Sequence, residues 1–387
     1  MSFSIEDREK GRRNLKVNGT ARSQTMKIVQ LIMSRQFRGA EVFAAQLSKE
    51  LLLLGQEVRY AALYKTEGKE FIPEGILFDD LSAIKGGGIN LALIKKLNKF
   101  LKTYQPDIVQ ANAGDTFKYA VLVKWLFGHS YKIVFRNAST VSQYLKTYPQ
   151  KLLASFLFRH TDHIISVSEK CKSDLVTLFP SCGSKIEVIP IGITPRPFTK
   201  LKEFSNGKVN LVHVGGFTFE KNHSGLIRIF NSLKNQMPDA MLWLVGDGPL
   251  QSKIKAEVQH YSLSDSVVFT GAVTNPWDYI HSSKLLLLPS HIEGLPGVIL
   301  ESFFCRVPVV AYQVGGVGDV IEQGHTGWLI EKDDEEAFVK KAIEVLADED
   351  QTKSMVEESF RLVVDRFDNQ SIAKRFLRAY QQLNKKK

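Results

Sequence analysis

Cysteine is scarce in this chain, and long apolar runs are absent. Cys171, Cys182 and Cys305 are odd in number and widely spaced, with no C-x-x-C pair. Neither a disulfide framework nor a zinc site is indicated, and the three read as reduced thiols. No window supplies the roughly 20 uninterrupted apolar residues that a spanning helix needs. The first 24 residues are polar and charged, without the apolar core of a signal segment. A cytoplasmic location is therefore expected. No zinc-finger spacing and no RNP-type aromatic strand occurs, so the formal net charge of +10 does not point to nucleic acid. An anionic membrane face or a phosphorylated substrate remains as the counterpart of that charge.

With 387 residues and 44% hydrophobic composition, the chain can bury a full core, and its length favours two domains. Residues 1–25 lack periodicity and read as a disordered tail. From there, short apolar runs alternate with amphipathic stretches. Strands are expected at 26–33, 57–63, 107–111, 133–136, 163–167 and 186–189, with helices at 40–54, 90–104 and 117–127 between them. A second series of strands is expected at 209–214, 241–245, 267–269, 285–288, 307–311 and 327–330, with a helix at 225–234. Apolar strands separated by helices imply parallel sheets covered on both faces. The expectation is an α/β protein with two Rossmann-like doubly wound domains, 26–197 and 198–366, facing each other across a cleft. A last helix, within 367–387, is expected to cross back to the first domain. In such sheets ligands bind beyond the carboxyl ends of the strands, which places the site in the cleft.

The most informative stretch, HIEGLPGVILE, runs from His291 to Glu301, directly after the apolar strand that ends near Pro289. Pro296 suits a helix's first turn, so Gly294, Leu295, Pro296 and Gly297 would form a helix N-terminus whose amides attract a diphosphate or sugar oxygens. Glu301 can accept hydrogen bonds from two vicinal hydroxyls, as a ribose offers. Asp348-Glu349-Asp350 has the D-x-D form of a metal-held diphosphate site, but its place between two helices reads as helix-start acids, so no metal is expected. Gly86-Gly87-Gly88 lacks the preceding strand of a dinucleotide fingerprint.

The spacing of Glu293 and Glu301 after a strand, with Gly-Leu-Pro between them, resembles the retaining glycosyltransferases of family 4, which have the GT-B fold. Supporting matches are Arg38-Gly39-Ala40-Glu41, Ser166-Val167-Ser168-Glu169, Glu220-Lys221-Asn222, Gly246-Asp247-Gly248-Pro249 and Val314-Gly315-Gly316. The resemblance implies a metal-independent transferase without a cofactor, taking a nucleotide diphosphate sugar as donor and a lipid-linked or polysaccharide precursor as acceptor. Such an enzyme would serve polysaccharide or cell-envelope biosynthesis in the cytoplasm or at the cytoplasmic membrane face. Glu293 would sit by the donor sugar and Lys221 would neutralise the leaving diphosphate. Glu301 would hold the ribose, and Arg38, Gly39 and Gly215 would border the diphosphate.

The chain departs from the family pattern at three places. Gly216 stands where an arginine commonly binds phosphate, leaving Arg35 or Arg38 as substitutes. Arg136 and Asn137 stand near the position of a histidine beside the reacting sugar, and are taken as the acceptor side. Asp319 replaces a common glutamate. These departures keep two rivals open: a nucleotide-sugar epimerase, and a degenerate sugar-nucleotide binding protein. The helix 91–102 carries Lys95, Lys96, Lys99 and Lys102 around an apolar stripe. It reads first as a solvated face packed on its own sheet, and second as a basic face for anionic lipid.

Overall fold

The computed structural model describes residues 25–36, 39–66, 70, 73, 75–86, 88–205 and 207–385. The tail at 1–24, Arg38 and Gly87 lie outside the described residues. The first sheet is built from β1 (Lys27–Ile32), β2 (Glu57–Tyr64), β3 (Leu77–Ala83), β4 (Ile108–Ala111), β5 (Lys132–Asn137), β6 (His163–Ser166) and β7 (Ile186–Val188). Its order is β3-β2-β1-β4-β5-β6-β7, with every pair parallel. The helices α1 (Gly39–Leu53), α2 (Leu91–Tyr104), α3 (Gly114–Phe127), α4 (Tyr148–Arg159) and α5 (Glu169–Leu178) connect these strands.

The second sheet comprises β8 (Val209–Val214), β9 (Ala240–Val245), β10 (Val267–Gly271), β11 (Leu285–Leu288), β12 (Val309–Tyr312) and β13 (Trp328–Ile330). Its order is β10-β9-β8-β11-β12-β13, again parallel throughout. The helices α6 (His223–Gln236), α7 (Gln251–His260), α8 (Pro276–Ser282), α9 (Gly297–Phe304), α10 (Glu335–Ala347) and α11 (Glu349–Arg366) belong to this half, and α12 (Asn369–Lys385) ends the chain. Both sheets reverse strand order beside their first strand, at β1/β4 and at β8/β11. These switch points open a crevice beyond the strand ends, and the two crevices define the cleft.

Strand β3 is the element the periodicity does not reveal. Its sequence, LFDDLSA, is acidic and lies at a sheet edge. Basic partners hold it: Arg59 meets Asp79 at 3.3 Å and Arg35 meets Asp80 at 2.9 Å. Helix α2 packs Leu93, Ile94, Leu97 and Leu101 inward, while its lysines face solvent and Lys96 donates to the Leu81 carbonyl.

The chain crosses between the halves twice, side by side. Ile193 N donates to the Phe367 carbonyl and Asn369 N to the Ile193 carbonyl. Beyond that crossing, α12 lies on α1, burying Phe376 against Phe43 with ring centroids 5.7 Å apart. The Tyr380 hydroxyl reaches the buried amides of Gln30 and Gln110 beneath the first sheet's switch point. All three cysteines are buried and free.

Candidate active site at the domain cleft

The second domain's switch point brings together the loops that follow β8 and β11. After β8 the chain runs through Gly215, Gly216 and Phe217 into a 3-10 turn, Phe219–Lys221. Asn222 then adopts a left-handed conformation and caps α6 by accepting from Gly225 N at 3.1 Å. The same side chain donates to the Pro289 carbonyl at 3.0 Å, fastening this turn to the end of β11. A second fastening comes from the Glu220 carbonyl, which accepts from His291 N at 2.8 Å and from Ile292 N. Held from both sides, Lys221 Nζ donates to Glu293 Oε1 at 2.6 Å. The Glu293 side chain is 8% exposed and that of Lys221 22%, so the pair lies at the floor of the cleft with the lysine outermost.

Beneath this pair are two imidazoles. His213 donates from Nδ1 to the Leu287 carbonyl at 2.8 Å, and burial pushes its pKa down to about 4. His223 stacks on Phe217 with centroids 4.0 Å apart, and burial, reinforced by His213 and Lys221, drives it further down, to about 2. Both are neutral at ordinary pH. That fits their place under a lysine, where a second cation would be repelled.

The Gly-Leu-Pro segment is enclosed more tightly than the sequence suggests. A Cβ on Gly294 would fall 1.9 Å from the Ala138 carbonyl oxygen of the first domain. A Cβ on Gly316 would fall 2.0 Å from the Gly294 oxygen and 2.6 Å from Ser168 Cβ, and one on Gly315, at φ +53°, would strike the Glu293 carbonyl. Three backbones from two domains meet here, an approach only glycine allows. Pro296 is the residue before α9 rather than within its first turn, which corrects that expectation: the helix starts at Gly297, and Gly294, Leu295 and Pro296 are buried between the domains. Asp319 also has a defined task. Its Oδ2 accepts from Glu169 N at 2.7 Å, so an acid of the second domain caps α5 of the first.

Glu301, on α9, is partly buried, and its Oε1 lies 3.4 Å from Arg196 Nη2. Burial raises its carboxyl above the usual range, against the pull of Arg196. Arg196 was not among the sequence candidates. It lies in the linker between domains and stacks over the Trp277 ring at 4.9 Å; no motif marks it, and only the fold brings it to Glu301.

On the opposite wall, Gly39 is exposed at the start of α1. Arg35 is held by Glu70 at 2.7 Å and by Asp80 at 2.9 Å. Arg136 is buried over the Phe43 ring at 4.6 Å, and burial lowers its pKa to about 10. Asn137 donates to Ser166 Oγ and to the Cys171 carbonyl, tying β5 to β6 and α5. Both therefore underlie the first-domain loops. Tyr144 of that wall reaches toward the charged pair, with its hydroxyl 3.4 Å from Glu220 Oε1. Burial, with the nearby charge of Glu220, pushes its phenol up to about 12, so it remains a proton donor.

Among the described residues no group of three or more His, Cys, Asp or Glu is arranged to hold a metal ion, and no helix is long and apolar enough to cross a membrane. Asp348 instead caps α11, accepting from Gln351 N.

Comparison with known proteins accords with this geometry. Residues 37–196 match the model described as Glycosyltransferase Family 4, and residues 198–362 match Glycosyl transferases group 1. The chain is 26% identical over 366 residues to the N-acetyl-alpha-D-glucosaminyl L-malate synthase of Bacillus anthracis, covering 88% of this chain and 93% of that protein. It is also 26% identical, over 71% of its length and 90% of the relative, to the GalNAc-alpha-(1->4)-GalNAc-alpha-(1->3)-diNAcBac-PP-undecaprenol alpha-1,4-N-acetyl-D-galactosaminyltransferase of Campylobacter jejuni. In fold it is similar to Anabaena HepE crystallised with UDP and glucose, with a TM-score of 0.79, 17% identity, and coverage of 92% of this chain and 100% of that one. With two parallel-sheet domains, a cleft at their switch points and family matches that together run from residue 37 to 362, the chain belongs to the group 1, family 4 glycosyltransferases of GT-B fold.

Proposed function

We propose that this glycosyltransferase moves a sugar, with retention of anomeric configuration and without a metal, from a nucleotide diphosphate to a lipid-linked or polysaccharide precursor at the cytoplasmic membrane face. The observation that carries this reading is the Lys221–Glu293 pair, held at 2.6 Å by loops from both sides of the β8/β11 switch point. Bond cleavage between the sugar and the diphosphate leaves negative charge on the departing phosphate. Lys221, the more exposed partner, is placed to turn from Glu293 toward that charge, a stabilisation that grows only as the bond breaks. Glu293 remains beside the sugar. Glu301 exchanges its long contact with Arg196 for the ribose hydroxyls, and its partial burial strengthens such hydrogen bonds. Gly215 and Gly39 border the diphosphate from the two walls, and the buried Arg136 and Asn137 support the acceptor loops from beneath.

A UDP-linked sugar is the first donor to examine, since HepE is crystallised with UDP. The test is a thermal-shift panel of UDP, GDP, ADP and dTDP sugars with EDTA present, because a ligand that binds only the folded state raises the melting temperature. A shift with one nucleotide family, surviving EDTA and followed by transfer to a glycan or polyprenyl-linked acceptor, is expected. Donor binding without transfer to any acceptor would favour a degenerate binding protein. One observation favours that second reading: the arginine common in the family is replaced by Gly216, and Arg35 is held by Asp80 and Glu70.

A further inference from the structure

Half of the exposed large hydrophobic side chains among the described residues fall within one short part of the chain: Trp125, Leu126 and Phe127 at the end of α3, and Tyr144, Tyr148, Leu152 and Leu153 in or just before α4. They form one face. Tyr148, Leu152 and Phe156 follow at four-residue spacing on α4, with Leu153 beside them, and the Phe156 ring meets Trp125 edge-on at 5.7 Å. The face begins at the cleft, where Tyr144 reaches Glu220, and runs outward from there.

The charge of the same segment is one-sided. Residues 116–161 contain five lysines and two arginines and no aspartate or glutamate. Lys146, Lys151 and Arg159 are exposed there, and no described carboxylate pairs with them. The acids that border the face are already engaged. Asp115 takes Lys118, Asp162 takes Lys124 and Lys132, and Asp174 accepts from Ser142 N.

We infer that this α3–α4 face is a docking surface for an anionic lipid bilayer, seated by Trp125, Leu126, Tyr148, Leu152 and Leu153 with Lys146, Lys151 and Arg159 at the headgroups. The chemistry selects the occupant. A second copy of the chain would bring like charge against like charge. A nucleic acid would offer no apolar surface for clustered leucines. A bilayer of anionic lipid matches both properties, because aromatic and aliphatic side chains enter its interface while basic ones bind its surface potential. Docking would set the cleft mouth at Tyr144 against the membrane. This rests on the membrane-facing part of the reading above and gives it a location, on α3 and α4 instead of the lysine helix α2.

The test is cosedimentation of the full chain with phosphatidylcholine vesicles with and without phosphatidylglycerol, at low and high salt. Binding is expected only with the anionic lipid, weakening with salt. Lys146→Gln/Lys151→Gln/Arg159→Gln should lower it about a hundredfold, at the general strength of a basic residue near an anionic surface. Trp125→Ser/Leu152→Ser should lower it at least about tenfold, as expected for lost interfacial apolar area. Lys95→Gln/Lys99→Gln/Lys102→Gln on α2 removes the same charge and should lower binding far less, because α2 meets the face only at its edge, where Asn98 contacts His129 just beyond α3. The donor-induced thermal shift of every variant, measured without vesicles, should match the parent. This separates failure of docking from failure of the transferase reading. No binding to anionic vesicles, equal losses from the α2 and α4 variants, or a patch variant that dissociates a dimer while keeping its vesicle binding would each overturn the proposal.

Discussion

The two walls of the cleft are built in different ways. On the second-domain wall, functional side chains stand on loops fastened by backbone contacts: the Glu220 carbonyl to His291 and Ile292, the Asn222 side chain to Pro289, and Gly315 and Gly316 against Glu293 and Gly294. Its charged pair is already formed and nearly enclosed. The first-domain wall presents an exposed helix start at Gly39 and a loop carrying Tyr144, with Arg136 and Asn137 buried beneath. A wall that handles a nucleotide diphosphate meets the same chemistry in every donor and gains from rigid preorganisation. A wall that meets an acceptor has its chemistry set by exposed loop residues over a shared scaffold.

That contrast can be broken first at the charged pair. Lys221→Ala and Glu293→Gln should each lower kcat about a thousandfold, the scale of removing a preorganised group aimed at developing charge, while the chain still folds, with Lys221→Ala melting lower because the enclosed Glu293 carboxylate loses its partner. Single-turnover transfer assays beside melting curves check this, and an intact rate in either variant would remove the pair from the chemistry. The next largest effect should come from Gly294→Ala. Its new Cβ must displace the Ala138 carbonyl, shifting the walls against each other by the order of an ångström, which costs about a hundredfold in turnover. Gly114→Ala, at the start of α3 on the first-domain wall, meets no atom within 4 Å and should change turnover by less than about threefold, so this matched pair measures how far rigidity differs between the walls. Glu301→Ala should raise the donor KM about tenfold with little change in kcat, because it removes binding that ground and transition states share. A fall in kcat with unchanged KM would contradict the ribose role.

The same division governs what was legible in the sequence. Strands β1, β8, β9 and β11 are apolar runs buried on both sides, and such runs announce themselves; β3 is hidden because Arg35 and Arg59 neutralise its acids, a pairing no local pattern contains. Glu293, Lys221 and their glycines were readable because close backbone approach restricts residue choice. Arg196 and Tyr144 were not, because neither stands in a motif: Arg196 lies in the linker between the domains and Tyr144 in a first-domain loop, and only the fold brings each to its partner. The partners of Arg35 were hidden in the same way: its position after β1 suggests a phosphate ligand, while the acids that pair with it come from β3 and the loop before it.

The smallest expected effect concerns the support of the donor wall. Burial holds His213 at about 4 in the folded chain, below the 6.5 of a free imidazole, and His223 is lowered by the same cause. The unfolded chain therefore binds more protons, so their contribution is fully present above about pH 6.5 and is lost as pH falls, down to about pH 4 for His213 and to about pH 2 for His223. For His213 alone the loss at about pH 5.5 is about 1 kcal/mol. His213→Asn keeps a donor toward the Leu287 carbonyl but cannot take up a proton, so its stability should fall less steeply between pH 7 and pH 5 than the parent's. Chemical denaturation across that range reads the difference. Because His213 underlies Lys221 and nothing on the opposite wall, donor affinity should weaken with acid in step with stability, while vesicle binding by the α3–α4 face does not. Equal acid sensitivity of the two would mean that the walls respond as one body, and the difference in their construction would then be one of shape alone.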